Sequence, residues 1–71
     1  MKLSGKQISA AISLAGWEKR DLQEKAGISI PTIRNIITEK HTPQKETLDK
    51  IIVAFDEAGI EFTDNQGVRL K

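Results

Sequence analysis

Cysteine is absent from the 71 residues, and histidine occurs once, as His41. Without cysteine there is neither a disulfide framework nor a thiolate metal site, which is compatible with an intracellular setting. A single histidine has no second imidazole or thiolate with which to share a metal, so no metal site is expected. The five glycines stand apart from one another, each at an element boundary, so no glycine-rich loop is present to cradle a phosphate. The acids are scattered with basic neighbours four residues on, as in Asp21 with Lys25 and Glu46 with Lys50, and read as solvated pairs on helix faces. No catalytic residue and no cofactor are expected, and the chain does not read as an enzyme. Nowhere do 18 apolar residues follow one another, and Met1 to Lys6 contain no apolar run of signal length. The expectation is a soluble cytoplasmic protein with no membrane partner.

What is present begins with one domain, residues 1–71. A domain of this size buries only about 60% of its chain surface, so it is marginal alone and would gain from a partner subunit. The most informative stretch is Gly16 to Ile36, in which two short helical patterns meet at Ala26-Gly27-Ile28-Ser29. Gly27 follows the last turn of the first pattern, where a chain leaving a helix swings into the left-handed region that glycine adopts without strain. Ile28 supplies an apolar plug between the helices. Ser29 is placed to accept a backbone N–H of the next helix, worth about 1 kcal/mol. Pro31 falls in that helix's first turn, where its missing N–H costs nothing. Leu22, Ala26, Ile33 and Ile36 recur at helical spacing and give each helix an inward side. The pattern describes either a bihelical corner of the kind that reads DNA or an ordinary hairpin of a small helical bundle.

Around that corner the chain predicts two more helices and a tail. Ser4 with Gln7 three residues on is a capping-box pattern, and Ile8, Ala11, Ile12 and Ala15 repeat after it, so the first helix spans about Gly5 to Ala15. Gly16 closes it. Trp17, the only tryptophan, is expected to pack in the core. The second helix covers about Glu18 to Ala26 and the third about Ile30 to Thr38, which places the helix-turn-helix at about 18–38. Glu39 to Gln44 is polar and carries Pro43, so it reads as a loop. Leu48, Ile51, Ile52 and Phe55 form an i, i+3, i+4, i+7 stripe on a fourth helix over about 45–58, ended by Gly59. Beyond it the period becomes alternating. Ile60 and Phe62, then Val68 and Leu70, are apolar, and Asp64-Asn65-Gln66-Gly67 between them is turn chemistry, so two short strands are expected over about 60–70. A lone hairpin is barely stable in water and needs a surface, either the fourth helix or the same tail of a second subunit.

Net charge is +1, but it is unevenly distributed. Residues 1–45 carry eight Lys or Arg against four acids, whereas residues 46–71 carry three against six. The corner lies in the basic half, as a surface that meets phosphate requires, although solvated helix faces can produce the same split.

With these pieces in order, the chain resembles the Cro and lambda-repressor type of helix-turn-helix, the XRE family. The resemblance covers nearly the whole chain. It is carried by Gly16-Trp17, Leu22, Glu24 to Ser29, Pro31 to Arg34, Thr42-Pro43, Thr47-Leu48 and Lys50-Ile51, while the tail is similar to that of short bacterial members with a strand-forming C-terminus. The resemblance implies a mainly α, four-helix lambda-repressor-like domain with a short C-terminal β hairpin or strand pair. It further implies that the third helix enters the major groove of double-stranded DNA while the second crosses the backbone. Carried over by position, Ile30, Pro31, Arg34 and Asn35 face the groove, and Ser29, Thr32 and Lys19 touch phosphates. Lys40, with His41 beside it, neutralises backbone charge from the loop. Arg34 suits guanine O6 and N7 and Asn35 suits adenine, at about 1–3 kcal/mol of discrimination each. Ile30 and Pro31 offer only apolar contact to a thymine methyl.

Three departures from the family pattern stand out. Lys19 replaces a common glutamine and meets phosphate as a flexible point charge. Gln23 replaces a small residue over which the third helix packs, which leaves the docking angle open. The start of the recognition helix is apolar, and Ile37 stands where an acid is common, which implies a weaker sequence code, more dependence on DNA shape, or some other partner altogether. The function expected is a small homodimeric, repressor-like transcriptional regulator on a pseudo-palindromic operator, with Ile60, Phe62, Val68 and Leu70 as the dimerisation set. The alternative is an antitoxin or another protein-binding module of the same fold, with a toxin as partner and DNA binding secondary. No sensing domain accompanies the corner, so control by the protein's own concentration or by a partner is expected rather than by a small ligand.

Overall fold

The computed structural model describes residues 3–63 and 67–71. Four helices, α1 (Gly5–Ala15), α2 (Lys19–Ala26), α3 (Ile30–Ile37) and α4 (Lys45–Glu57), are followed by strands β1 (Ile60–Phe62) and β2 (Val68–Leu70). The expected element order is the one found. Glu18, Thr38 and Ala58 serve as caps rather than helical residues. Of the proposed turn, Asp64, Asn65 and Gln66 lie outside the described residues.

Apolar spacing assigns the inward faces. Ile8, Ala11 and Ile12 from α1, Leu22 and Ala26 from α2, Ile33 and Ile36 from α3, and Ile51, Ala54 and Phe55 from α4 are buried together with Ile28 and Ile60. Within the α4 stripe, Ile51 and Phe55 are fully inside, whereas Leu48 and Ile52 flank the core half-buried. All three aromatic residues of the chain converge here. Trp17 stacks on Phe55 with ring centroids 4.9 Å apart, and Phe62 meets Phe55 edge-on at 5.6 Å. Such pairs add about 0.5–1.5 kcal/mol beyond the area they bury. Lys25 Nζ lies 5.6 Å from the centroid of the Trp17 ring.

The tail folds back on its own chain. β1 and β2 pair antiparallel with Ile60 opposite Leu70, Glu61 opposite Arg69 and Phe62 opposite Val68. β1 packs on α4 and α1, and β2 packs on α1. Glu61 and Arg69 form a cross-strand ion pair, and Lys71 pairs with Asp56 of α4. The turn end of the hairpin is tied to α1 by one side chain. Gln7 is the buried polar residue, 2% exposed. Its Oε1 accepts the Ser4 N–H at 3.0 Å while the Ser4 Oγ accepts the Gln7 N–H at 3.1 Å, so the capping box at the start of α1 is complete. The Gln7 amide then donates from Nε2 to the carbonyls of Thr63 and Gly67, each at 3.2 Å. One buried amide therefore caps the first helix and clasps the last hairpin.

Two backbone features set the relation of α1 to α3. At Gly5 a Cβ would overlap the Ile37 carbonyl oxygen and crowd that of Ile36, so the first turn of α1 rests directly on the end of α3. The end of α3 closes in a Schellman arrangement: the Lys40 N–H donates to Asn35 O at 3.0 Å and the Glu39 N–H to Ile36 O at 3.1 Å. Glu39 is the left-handed residue of that motif, at φ 60, where a side chain costs on the order of 1–2 kcal/mol. The helix-face pairs also differ from expectation. Neither Asp21 with Lys25 nor Glu46 with Lys50 forms an ion pair among the described residues. Asp21 instead accepts the Glu18 N–H at 2.8 Å, and Lys45 pairs with Asp49 at 3.9 Å. A carboxylate at the start of a helix gains more from a free N–H and the dipole than from a solvated lysine one turn on.

Two stability outcomes follow from this packing. Gln7→Ala should lower unfolding free energy by about 2–3 kcal/mol in denaturant titration, since it removes a satisfied buried amide. Hydrogen exchange should show the Thr63 and Gly67 region opening before the helices. Gly5→Ala, stabilising in an ordinary helix turn, should here cost about 1–3 kcal/mol because its neighbour is backbone and gives little.

Candidate nucleic-acid interface

The corner forms for the local reasons its residues suggest. Gly27 takes φ 69 and donates its N–H to Gln23 O, which ends α2. Ile28 is buried beneath the turn. Ser29 is the N-cap of α3. Its Oγ accepts the Thr32 N–H at 3.4 Å and lies 2.9 Å from Thr32 Oγ1. The two hydroxyls assigned to phosphate contact thus stand side by side and exposed at the start of α3. Pro31 sits in the same first turn, where its missing N–H leaves no gap.

With Ile33 and Ile36 turned inward, α3 presents Pro31, Thr32, Arg34 and Thr38 to solvent, and Ile30 and Asn35 at half-burial. Thr38, which sequence reasoning passed over as a mere helix end, is exposed and donates its hydroxyl to Arg34 O at 2.9 Å. Asn35 lines a shallow depression of mixed character with Thr32, Ile36, His41, Pro43 and Thr47, so this side of α3 continues into the loop and the first turn of α4. Lys40 is brought to the same end of α3 by its own N–H, and Lys19 stands exposed as the first residue of α2. Gln23 is half-buried.

The electrostatics differ between the two helix starts. At α2 the Asp21 carboxylate accepts a backbone N–H and Glu18 lies 3.7 Å from Arg20, so that end carries its own negative charge. Residues 29–38 contain no acid, and the positive end of the α3 dipole is uncompensated. Among the described residues no ion pair engages Lys19, Arg34 or Lys40, whereas Arg69 and Lys71 at the tail are paired with acids of their own chain. Lys6, Lys25 and Lys50 likewise form no ion pair among the described residues, so what sets the start of α3 apart is its lack of an acid rather than its number of free cations. The remaining site set lies elsewhere. Ile60 is fully inside, Phe62 packs on Phe55, Val68 is half-buried opposite Phe62, and Leu70 is 63% exposed.

The sequence model of the helix-turn-helix family matches residues 6–62, from α1 through β1. The chain belongs to that family. It is a DNA-binding helix-turn-helix protein of the XRE type, the Cro and lambda-repressor kind, and that family is one of transcription regulators. No curated protein matches the chain. Within the helix-turn-helix, α2 is the first helix of the motif and α3 the second. Among the described residues no helix is long and apolar enough to cross a membrane, and no group of three or more His, Cys, Asp or Glu is placed to hold a metal ion.

Proposed function

We propose that the protein is a sequence-specific, homodimeric, repressor-like regulator that lays α3 in the major groove of double-stranded DNA. The observation that carries this reading is the adjacent pair Arg34 and Asn35, exposed and half-buried, on a capped, acid-free helix, with Lys40 in the following loop in no ion pair among the described residues. Arg34 suits a guanine edge and Asn35 an adenine edge. Ser29, Thr32, Lys19 and Lys40 fix the protein on phosphates, and Ile30 with Pro31 meets a thymine methyl. Two such helices in a dimer reach half-sites about 34–36 Å apart, or a multiple of that, so the operator is pseudo-palindromic. Ile60 and Phe62 serve the chain's own core, so within the tail the side chain left for a second copy is Leu70, with Val68 beside it.

Selection of bound duplexes from a random pool, repeated at two salt concentrations, tests the whole reading. A two-fold-symmetric consensus supports it, and binding to no duplex at either salt sinks it. Arg34→Ala should cost about 1–3 kcal/mol on the selected duplex and relax one position of the consensus. Lys40→Ala should weaken all duplexes alike and reduce the salt slope by about one. For the dimer, Leu70→Lys should convert sedimentation from dimer to monomer and weaken operator binding. Its effect on monomer stability should stay within about 0.5 kcal/mol, because the side chain is mostly exposed.

A further inference from the structure

Three of the four helices leave through a glycine in the left-handed region: Gly16 at φ 71, Gly27 at φ 69 and Gly59 at φ 82. The exception is α3, which leaves through Glu39 at φ 60, the only non-glycine residue at positive φ among the described residues. Two independent physical rules disfavour it there. A side chain is strained in the left-handed region, and a carboxylate sits badly against the negative end of a helix dipole. Glycine satisfies the first rule and avoids the second. Glu39 also gains no compensating partner, since it is exposed and forms no ion pair among the described residues.

Its surroundings suggest what it does. From Ser29 through Lys45 it is the only acid; it precedes Lys40 directly and lines one depression with His41 and Lys45. Adjacent Cα atoms are about 3.8 Å apart, so a phosphate within reach of Lys40 lies on the order of one Debye length from the Glu39 carboxylate. A residue that breaks local rules without a structural return marks a functional site. We infer that Glu39 limits affinity for DNA: its carboxylate opposes the phosphate at the Lys40 end of α3 and holds down backbone-driven binding. The inference rests on the DNA-binding reading. It adds that the interface carries a deliberate repulsive group, so that occupancy responds to protein concentration instead of saturating on bulk duplex.

The test compares Glu39→Gln, which keeps shape and backbone strain but removes the charge, with Glu39→Gly, which removes both. Binding is measured to one duplex of unrelated sequence and to one selected duplex, at about 50 mM and 200 mM salt. At low salt both variants should bind the unrelated duplex about three- to tenfold tighter than the parent. The gain should shrink at the higher salt, and the salt slope should steepen by up to about one. Glu39→Gly alone should also raise the melting temperature clearly. If the parent binds duplex and Glu39→Gln binds no tighter, this inference falls while the DNA-binding reading stands. If only Glu39→Gly gains affinity, the effect is conformational and the inference again falls. If the parent binds no duplex, both fall together.

Discussion

The fold turns on the ring of Phe55. It is fully buried, and its neighbours come from three parts of the chain: Trp17 from the α1–α2 connection, Phe62 from β1, and the apolar face of α4 on which it sits. A domain this small has few large side chains with which to build a core, and this one places all its aromatics at a single point. The helix-turn-helix does not stand alone on its own two short helices. Eight-residue helices are unstable in isolation and owe their form to the surface beneath them. That surface is α4 beneath α2 and α1 beneath α3, and the hairpin packs in turn on α1 and α4.

Charge is arranged to complement this division. Cations near the tail are neutralised within the chain, Arg69 by Glu61 and Lys71 by Asp56, while Lys19, Arg34 and Lys40 form no ion pair among the described residues. The small net charge conceals this contrast, because it sums a basic recognition half with an acidic supporting half. The supporting half is thereby discouraged from meeting phosphate, which orients the domain as well as attracting it.

Much of the fold was legible because its decisive signals are local. Ser29 with Thr32, Ser4 with Gln7, and the glycines after α1, α2 and α4 act within a few residues, so spacing alone reveals them. What spacing concealed is long-range or exceptional. Nothing in the capping-box pattern indicates that the Gln7 amide also reaches two carbonyls near the other end of the chain. The alternation of Ile60 and Phe62 reports that one face of the tail is apolar, and says nothing of whether α4 or a second subunit covers it. Glu39 was invisible for the opposite reason, since a left-handed cap is recognised by its glycine and here the glycine is missing. At the corner, the sequence identified the outward residues of α3 but passed over Thr38, whose hydroxyl follows from the way the helix ends.

The clasp at Gln7 bears on how the molecule is made. The side-chain amide of Gln7 in α1 donates to carbonyls 56 and 60 residues further on. During synthesis the whole recognition corner emerges before the groups that close the fold around it. At about 5–20 residues per second the interval lasts seconds, whereas helices form in microseconds. Throughout that interval α1 and α4 lack the hairpin that packs on them in the finished fold. The clasp at Gln7 is thus a contact that synthesis permits only after α1 to α4 have all been made.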